Sequence, residues 1–515
     1  MSNYTVYHLH SDLSNGVTNI DSITKFDEYV DYAASLGMKA IAFSEHGSVF
    51  QWVKKKEYIE KKGMKYIHAQ EFYVTEELFK EPETEEYEKA LTELSESLLG
   101  TDSMEAQQIM GEFIESNRTK IRDNYHVVLI AKNYDGVCEL NELSSKAFNK
   151  EDGHFYYVPR ITMDELISTS NNILVTTACV GGTLCKGTPE VQTKMLEFLL
   201  ANKHRCFLEI QHHMDDVQIQ YNRYLVKISE KYDIPLIAGT DTHALNEEHL
   251  VGRSVLQKSK NVFFENEKTW DLTFKTYDQL VAAYRKQCAI PIDIAINAIN
   301  NTNVLADMIE EFDLDRSYKY PHLWEDPMKT FRDKIMDGIK RRGVDKYPNY
   351  QEYLDRIEHE LKAYEHNGAI DFMLLMEDII NWCIENDVMV GYGRGSVNGS
   401  VIAWLLGITE MDSIKHNLNF ERFMNTERVS LSDIDTDFPD NRRDEVINYV
   451  VEKYGKRRVC GIVTFGTLGA KQVIRDVSRV LNIPIYKVDG LCKFIPGTTK
   501  DSIEDIYKKN NYLVQ

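Results

Sequence analysis

The first 250 residues of this 515-residue chain alternate short apolar runs with amphipathic stretches. The runs VYHLH, KAIAFSEH, KYIHAQEFYV, HVVLIAKN, NILVTTAC, RCFLEIQ and IPLIAGTDTH have the near-continuous apolar character of strands buried on both faces. Separated by helical stretches, they predict a parallel α/β barrel or sheet with helices outside and active residues at strand ends. Polar residues collect at those ends: His8 and His10, Glu45 and His46, Glu71, Cys179, Asp241 and His243. His126 instead precedes its apolar run. His8-x-His10 points two imidazoles from one strand end to the same side, and Asp241-x-His243 repeats the spacing with a mixed pair. Nitrogen, oxygen and sulfur donors gathered from seven βα units predict a polynuclear metal centre, in which neutral imidazoles suit a transition metal and a central carboxylate can bridge.

A hydrophobic fraction of 43% over this length supports two or three domains. No run of about 18 apolar residues occurs, and the N-terminus MSNYTVYHLHSD is too polar for a signal peptide, so the expectation is a cytoplasmic chain with no membrane partner. Eight cysteines without C-x-x-C pairs fit reduced thiols. A net charge of −21 argues against nucleic-acid binding only until its distribution is read: twelve Lys or Arg lie between Arg442 and Lys500 against five acids. The acidic surplus sits elsewhere, notably in residues 76–119, which read as a solvated surface excursion between two strands.

Beyond Asn246 the strand rhythm gives way to helical periodicity, including TYDQLVAAYRK, EYLDRIEHELKAYEHNGA and MLLMEDIINWCIENDV. A glycine-rich run, GYGRGSVNGSVIAWLLGIT, then reads as a loop before a buried helix, where backbone amides and a helix N-terminus can hold phosphate oxygens. Just downstream, LSDIDTDF sets Asp433, Asp435 and Asp437 at every second position. In a strand they would share one face while Ile434, Thr436 and Phe438 pack the other. Such a row of carboxylates repels itself unless water or two divalent cations neutralise it. Farther on, Lys471, Arg475 and Arg479 at i, i+4 and i+8 place three cations along one helix face.

Residues 4–250, on these motifs and their order, resemble the polymerase and histidinol phosphatase (PHP) domain in the version fused to bacterial C-family replicative DNA polymerases. The resemblance implies a metal set of His8, His10, Asp21, His46, Glu71, His126, Cys179, Asp241 and His243, with Glu71 as the bridging carboxylate. The family's first-motif aspartate falls on Asp21 after a differently spaced loop, with Asp12 its competitor, and Glu45 stands where an Asp is commoner. The segments GYGRGSVNGSVIAWLLGIT, NFERFMNTERVSLSDIDTDFPDNRRDEVINYVVEKYGKRRV and TFGTLGAKQVIRDVSRVLNIP are similar in order to the palm-to-thumb sequence of bacterial DNA polymerase III α subunits. That similarity implies Asp433 and Asp435 as holders of two Mg2+, with Asp437 in support. It gives Gly395, Ser396 and Arg422 to the nucleotide triphosphate, with Arg394 and Arg428 as weaker candidates free to pair with Glu421 or Glu427. Lys471, Arg475 and Arg479 fall to duplex phosphates.

The implied architecture is a PHP (βα)7 distorted barrel over 1–255, a helical connection and the first part of an α+β nucleotidyltransferase palm over 256–440, and a small helical thumb over 441–515, before the fingers. The implied partners are primer–template DNA, dNTPs, the C-terminal remainder of the polymerase if it is encoded separately and, through that remainder, a sliding clamp; a phage origin would make the compartment the host cytoplasm. The PHP centre is expected to take up to three Mn2+, Fe or Zn2+ ions and to supply 3′–5′ exonuclease proofreading. A phosphoesterase acting alone, with an inert palm segment, is the alternative.

Overall fold

The computed structural model describes residues 3–509 apart from 19, 83, 100, 102, 263–266, 268, 318–321, 426–432 and 496–502. They divide into two compact units, Met1–Asp313 with Thr467–Gln515, and Leu314–Gly466. The first unit thus runs past residue 255, and the stretch 441–515 divides between the two.

Ten strands are assigned among the described residues of the first unit: β1 (Ala40–Phe43), β2 (Lys65–Thr75), β3 (Phe79–Lys80), β4 (Thr119–Lys120), β5 (Tyr125–Ala131), β6 (Phe155–Tyr156), β7 (Val158–Thr162), β8 (Ile173–Thr176), β9 (Cys206–Ile210) and β10 (Leu236–Ala238). The main sheet runs β10-β9-β8-β5-β2-β7-β6, with β1 also paired to β2. The N-terminal segment links β1 to the stretch after β10, bridging them at Val6–Ile41 and Leu9–Thr242. The sheet therefore curls into the expected barrel-like form.

One expectation fails: the sheet is not all parallel, because β5 runs antiparallel to both β2 and β8. The acidic excursion explains this. After β2 the chain leaves through the small β3–β4 ribbon and the helices Glu85–Ser97 and Ser103–Asn117, and so returns without a βαβ crossover.

Alternate strand residues fall into separate clusters. Ala40, Ala42, Ile67, Ala69, Val128, Ile130 and Leu174 pack together inside the curl, while Ile41, Phe43, Phe72, Val127, Leu129 and Val175 pack outward with helix residues such as Tyr29 and Val30. The helix Ile292–Asp307 closes one end: Thr302 Oγ1 accepts from Thr5 N at 3.0 Å, and Lys65 Nζ donates to Ile309 O at 2.8 Å. That packing carries the unit to Asp313.

The second unit is helical, built on Pro327–Arg342, Tyr350–His366, Ile370–Glu385, Val401–Leu406 and Arg443–Tyr454. Its core includes Phe331, Ile335, Ile357, Tyr364, Leu374, Leu405 and Phe420. No strand is assigned among its described residues, so the aspartate row lies in irregular chain rather than in the expected strand. A strand needs a ladder partner. Among the described residues, Gly391 N donates to Asp437 O at 3.0 Å, while Leu431 and Ser432 lie outside them. No described helix is long and apolar enough to cross a membrane.

Candidate metal centre and palm segment

Eight of the nine residues expected in the metal set converge. Three overlapping groups of donor atoms form: His10, Asp21, His46 and His243; His8, His10, Glu71 and Asp241; and His46, Glu71 and His126. Most come from a strand end or the loop beside it, while Glu71 lies within β2 and Asp21 follows the short turn Asp12–Gly16. His8 and His10 flank the Leu9–Thr242 bridge, His46 bridges Glu71 just beyond β1, and His126 is the second residue of β5. Asp241 adopts a left-handed backbone, φ +45°, uncommon for a residue with a side chain and here set at the centre of the site. Asp21, not Asp12, completes the first group. Cys179 sits beside the third group, its Sγ 3.6 Å from His126 Nδ1.

The carboxylates lie between the imidazoles. Glu71 Oε2 is 3.5, 3.3 and 3.0 Å from nitrogens of His8, His10 and His46, and its other oxygen is 2.8 Å from His126 Nδ1. Asp241 Oδ1 lies 3.3 Å from His8 Nε2 and 3.2 Å from His10 Nε2. Yet His8 Nε2, His10 Nε2, Asp21 Oδ2, His46 Nδ1, Glu71 Oε2 and Asp241 Oδ1 are buried without a hydrogen-bond partner. Buried polar atoms are normally satisfied, so six orphans aimed at one another fit cations.

Electrostatics agree. Burial alone would raise the Glu71 carboxyl, but His126, His46 and His8 hold it well below its usual range; Asp241 and Asp21 are likewise held low against burial by their histidines. Burial pulls His10 down to about 4, helped by His46 and His243. His46 goes the other way, to about 9, because Asp21 and Glu71 outweigh its burial. Burial, with Asp241 and Glu71 nearby, pushes the Cys179 thiol up.

Sequence reasoning missed Glu209. Fully buried, it takes His8 Nδ1 at 2.6 Å and accepts from Tyr7, Thr176 and Gln211 at 2.8–2.9 Å, which turns His8 Nε2 to the centre. A lone acid inside the apolar strand CFLEI was the available signal. Glu45 does support the ligand loops: it accepts from Ser11 and Ser14, pairs with Lys55 at 2.6 Å, and Ser14 Oγ accepts from His46 N.

In the second unit, Asp433, Asp435 and Asp437 are exposed while Ile434, Thr436 and Phe438 are half-buried, so the alternation holds without a strand. Arg394 spans the row, 3.7 Å from Asp435 and 3.4 Å from Asp437, rather than pairing with Glu421, which pairs with His359. Arg428 lies outside the described residues. Gly395 (φ +78°) requires glycine, and Ser396 opens a short turn ending at Gly399.

The start of helix Val401–Leu406 is not free for phosphate, contrary to the expectation from the loop–helix pattern. The buried Glu360 carboxylate accepts from Val401 N at 2.9 Å, Ile402 N at 3.0 Å and Ser400 Oγ at 2.7 Å. Arg356, bound to Glu360, also donates to Gly399 O and Leu418 O. It ties the glycine-rich loop to the turn Phe420–Arg422, where Arg422 is exposed.

Lys471, Arg475 and Arg479 lie on helix Ala470–Val480 of the first unit. Arg475 pairs with Asp489 at 3.1 Å and Arg479 with Asp476 at 2.8 Å, so two of the three cations already have acidic neighbours.

The model of the PHP domain matches residues 7–213, and that of the bacterial DNA polymerase III alpha NTPase domain matches residues 329–515. The DNA polymerase III subunit alpha of Aquifex aeolicus is 32% identical over 97% of this chain and 42% of its own length. Those of Borreliella burgdorferi and Helicobacter pylori are 30% and 29% identical over 99% of this chain, at 42% and 41% of their lengths. The chain thus spans about two fifths of the relatives it matches.

Proposed function

We propose that this chain, which belongs to the bacterial DNA polymerase III alpha family through its PHP and NTPase domains, supplies a metal-dependent 3′–5′ exonuclease and part of a DNA-directed DNA polymerase. The observation that carries the first activity is the set of six orphaned donor atoms in the buried centre. His8, His10, Asp21, His46, Glu71, His126, Cys179, Asp241 and His243 would hold up to three Mn2+, Fe or Zn2+ ions, for which imidazole and thiolate donors are suited. Such ions, when bound, activate water and offset charge developing on a phosphodiester. Glu71 faces His8, His10 and His46 with one oxygen and His126 with the other, which supports a bridging role. Glu209 fixes the His8 ring, and Glu45 fixes the loops that carry His10 and His46. His126, 20% exposed, marks the side from which a phosphate end is reached.

For the polymerase, Asp433 and Asp435 would hold two Mg2+, and Gly395, Ser396 and Arg422 the triphosphate of a dNTP. Lys471, Arg475 and Arg479 would meet primer–template phosphates. The third carboxylate, the fingers and any sliding-clamp contact would come from the rest of the polymerase. A phosphoesterase acting without that remainder is the second reading, favoured by the contrast between the buried metal centre and the exposed aspartates.

The test is release of 3′ nucleotides from an end-labelled oligonucleotide by the purified chain with Mn2+. Activity lost in His10→Ala and in Asp241→Asn supports the centre; no co-purifying metal and no nucleotide release defeats it. Primer extension by this chain alone would contradict the incomplete-palm reading.

A further inference from the structure

Beside the metal centre lies a surface that the functional reading leaves unused. The β6–β7 hairpin pairs Phe155 with Pro159 and Tyr156 with Val158, so Tyr157 sits at its tip. Tyr157 has φ +66°, a true outlier for a bulky residue, and is 63% exposed. Burial cannot be what holds it there. Around it stand cations on aromatic faces: Arg122 over Tyr157 at 4.4 Å, Lys120 over Tyr156 at 5.7 Å and Lys150 over Phe155 at 5.2 Å. Among the described residues none of the three cations has an ion pair, whereas Arg118 nearby is taken by Glu115. The neighbouring acid Asp152 is occupied by His154 and Asn149.

The hairpin adjoins the centre. A Cβ on Gly47, next to His46, would come within 2.7 Å of Pro159 Cγ. Tyr73 on β2 is paired across to His126 on one side and to Arg160 on the other, which puts the hairpin strand two strand spacings, roughly 10 Å, from the most open ligand. Arg122 lies four residues before His126.

We propose that Tyr157, with Tyr156, Lys120, Arg122 and Lys150, forms a binding surface for the 3′ end of single-stranded DNA and leads that end to the metal centre. The exposed Tyr157 ring, with the half-buried Tyr156 beside it, offers stacking to unpaired bases, and the interleaved cations meet the phosphates between them. Duplex DNA has no free base faces to offer. The proposal deepens the exonuclease reading and rests on it for its direction, although binding is measurable without hydrolysis.

Fluorescence anisotropy of the whole chain in EDTA, with a 5′-labelled oligothymidylate of about twelve nucleotides, reads the surface directly. Tyr157→Ala should weaken binding about 5- to 100-fold and Tyr157→Phe should restore it. Lys120→Ala with Arg122→Ala should flatten the log-affinity against log-salt slope by roughly 1.4. A parallel loss for an RNA oligomer supports the surface, since neither stacking nor phosphate contact reads the 2′-hydroxyl. Tighter binding of duplex than of single strand, or unchanged affinity in Tyr157→Ala with the fold intact by circular dichroism, overturns it. Hydrolysis of bis(p-nitrophenyl) phosphate by the Mn2+-loaded wild-type chain tests the metal centre separately, because that small diester needs no extended surface.

Discussion

Removing the Glu209 carboxylate should loosen metal binding without touching any ligand. Its two oxygens receive four partners: the His8 ring and Gln211 Nε2 on one, the Tyr7 and Thr176 hydroxyls on the other. In Glu209→Gln the amide oxygen still faces His8, and both hydroxyls rotate to accept from the new amide, so only the charge behind the ring is lost. Mn2+ affinity should fall about tenfold, the lower end of what such outer partners contribute, or about 1.4 kcal/mol. Glu209→Ala frees the ring and strands the hydroxyls and the Gln211 amide in the interior. Affinity should fall about 100-fold, and stability by roughly 3 kcal/mol or more. Gly239→Ala provides an independent approach, since a Cβ there collides with the Glu209 carboxylate, which its four partners prevent from moving cheaply. Calorimetric titration of metal-free protein with Mn2+, alongside thermal melts, measures both quantities. Wild-type affinity in Glu209→Ala and Gly239→Ala would refute the claim that Glu209 holds His8 for the metal.

Metal loading should release protons. His46, at about 9, and His8, held well above its usual range by Glu209, Asp241 and Glu71 despite burial, are charged at pH 7 in the metal-free protein; His243 is shifted upward as well, whereas His10, at about 4, is neutral. Titrations in buffers of different ionisation enthalpy should show up to three protons displaced, and no buffer dependence would sink this. Because a raised histidine stabilises the folded state below its unfolded pKa and ceases to do so above its folded one, the metal-free form should lose stability as pH climbs from about 6.5 through 9. Glu360→Ala leaves the Val401 and Ile402 amides unpaired and should cost the second unit about 2–4 kcal/mol; an unshifted melt in that variant contradicts the capping role. Arg394→Gln frees Asp435 and Asp437 and should raise divalent-cation affinity there, by less than about fivefold because the pair is exposed; weaker binding would mean that Arg394 supports the site.

What the sequence made readable follows from how each feature is encoded. The pairs His8 and His10, and Asp241 and His243, were legible because they sit at strand ends with period-two spacing, and the burial of apolar runs places those ends together, whereas Asp21 follows no such pattern and was reached through the family resemblance. Glu209 was not, because its role comes from the far side of His8, across a separation of 201 residues that no local pattern reports. The antiparallel course of β5 was hidden by the acidic excursion, whose helices were read as decoration although they set the direction of return. The aspartate row kept its alternation of exposed and packed residues but gained no ladder, since pairing depends on a neighbour that alternation alone does not supply. The occupant of the Val401 amides, Glu360, lies 41 residues upstream in an ordinary amphipathic helix.

The bridge between Leu9 and Thr242, with His10 N donating to Thr242 O at 2.8 Å, bears on the order in which the chain is made. Residues 8 and 10 leave the ribosome more than two hundred residues ahead of Asp241 and His243. Through that interval the first histidines have no closing neighbour, and β10 has not yet emerged to carry its partner stretch. Such long-range closure is slow to find and comes late. The nascent domain is therefore a sheet open along one seam, unable to gather its full set of metal donors until the last segment arrives.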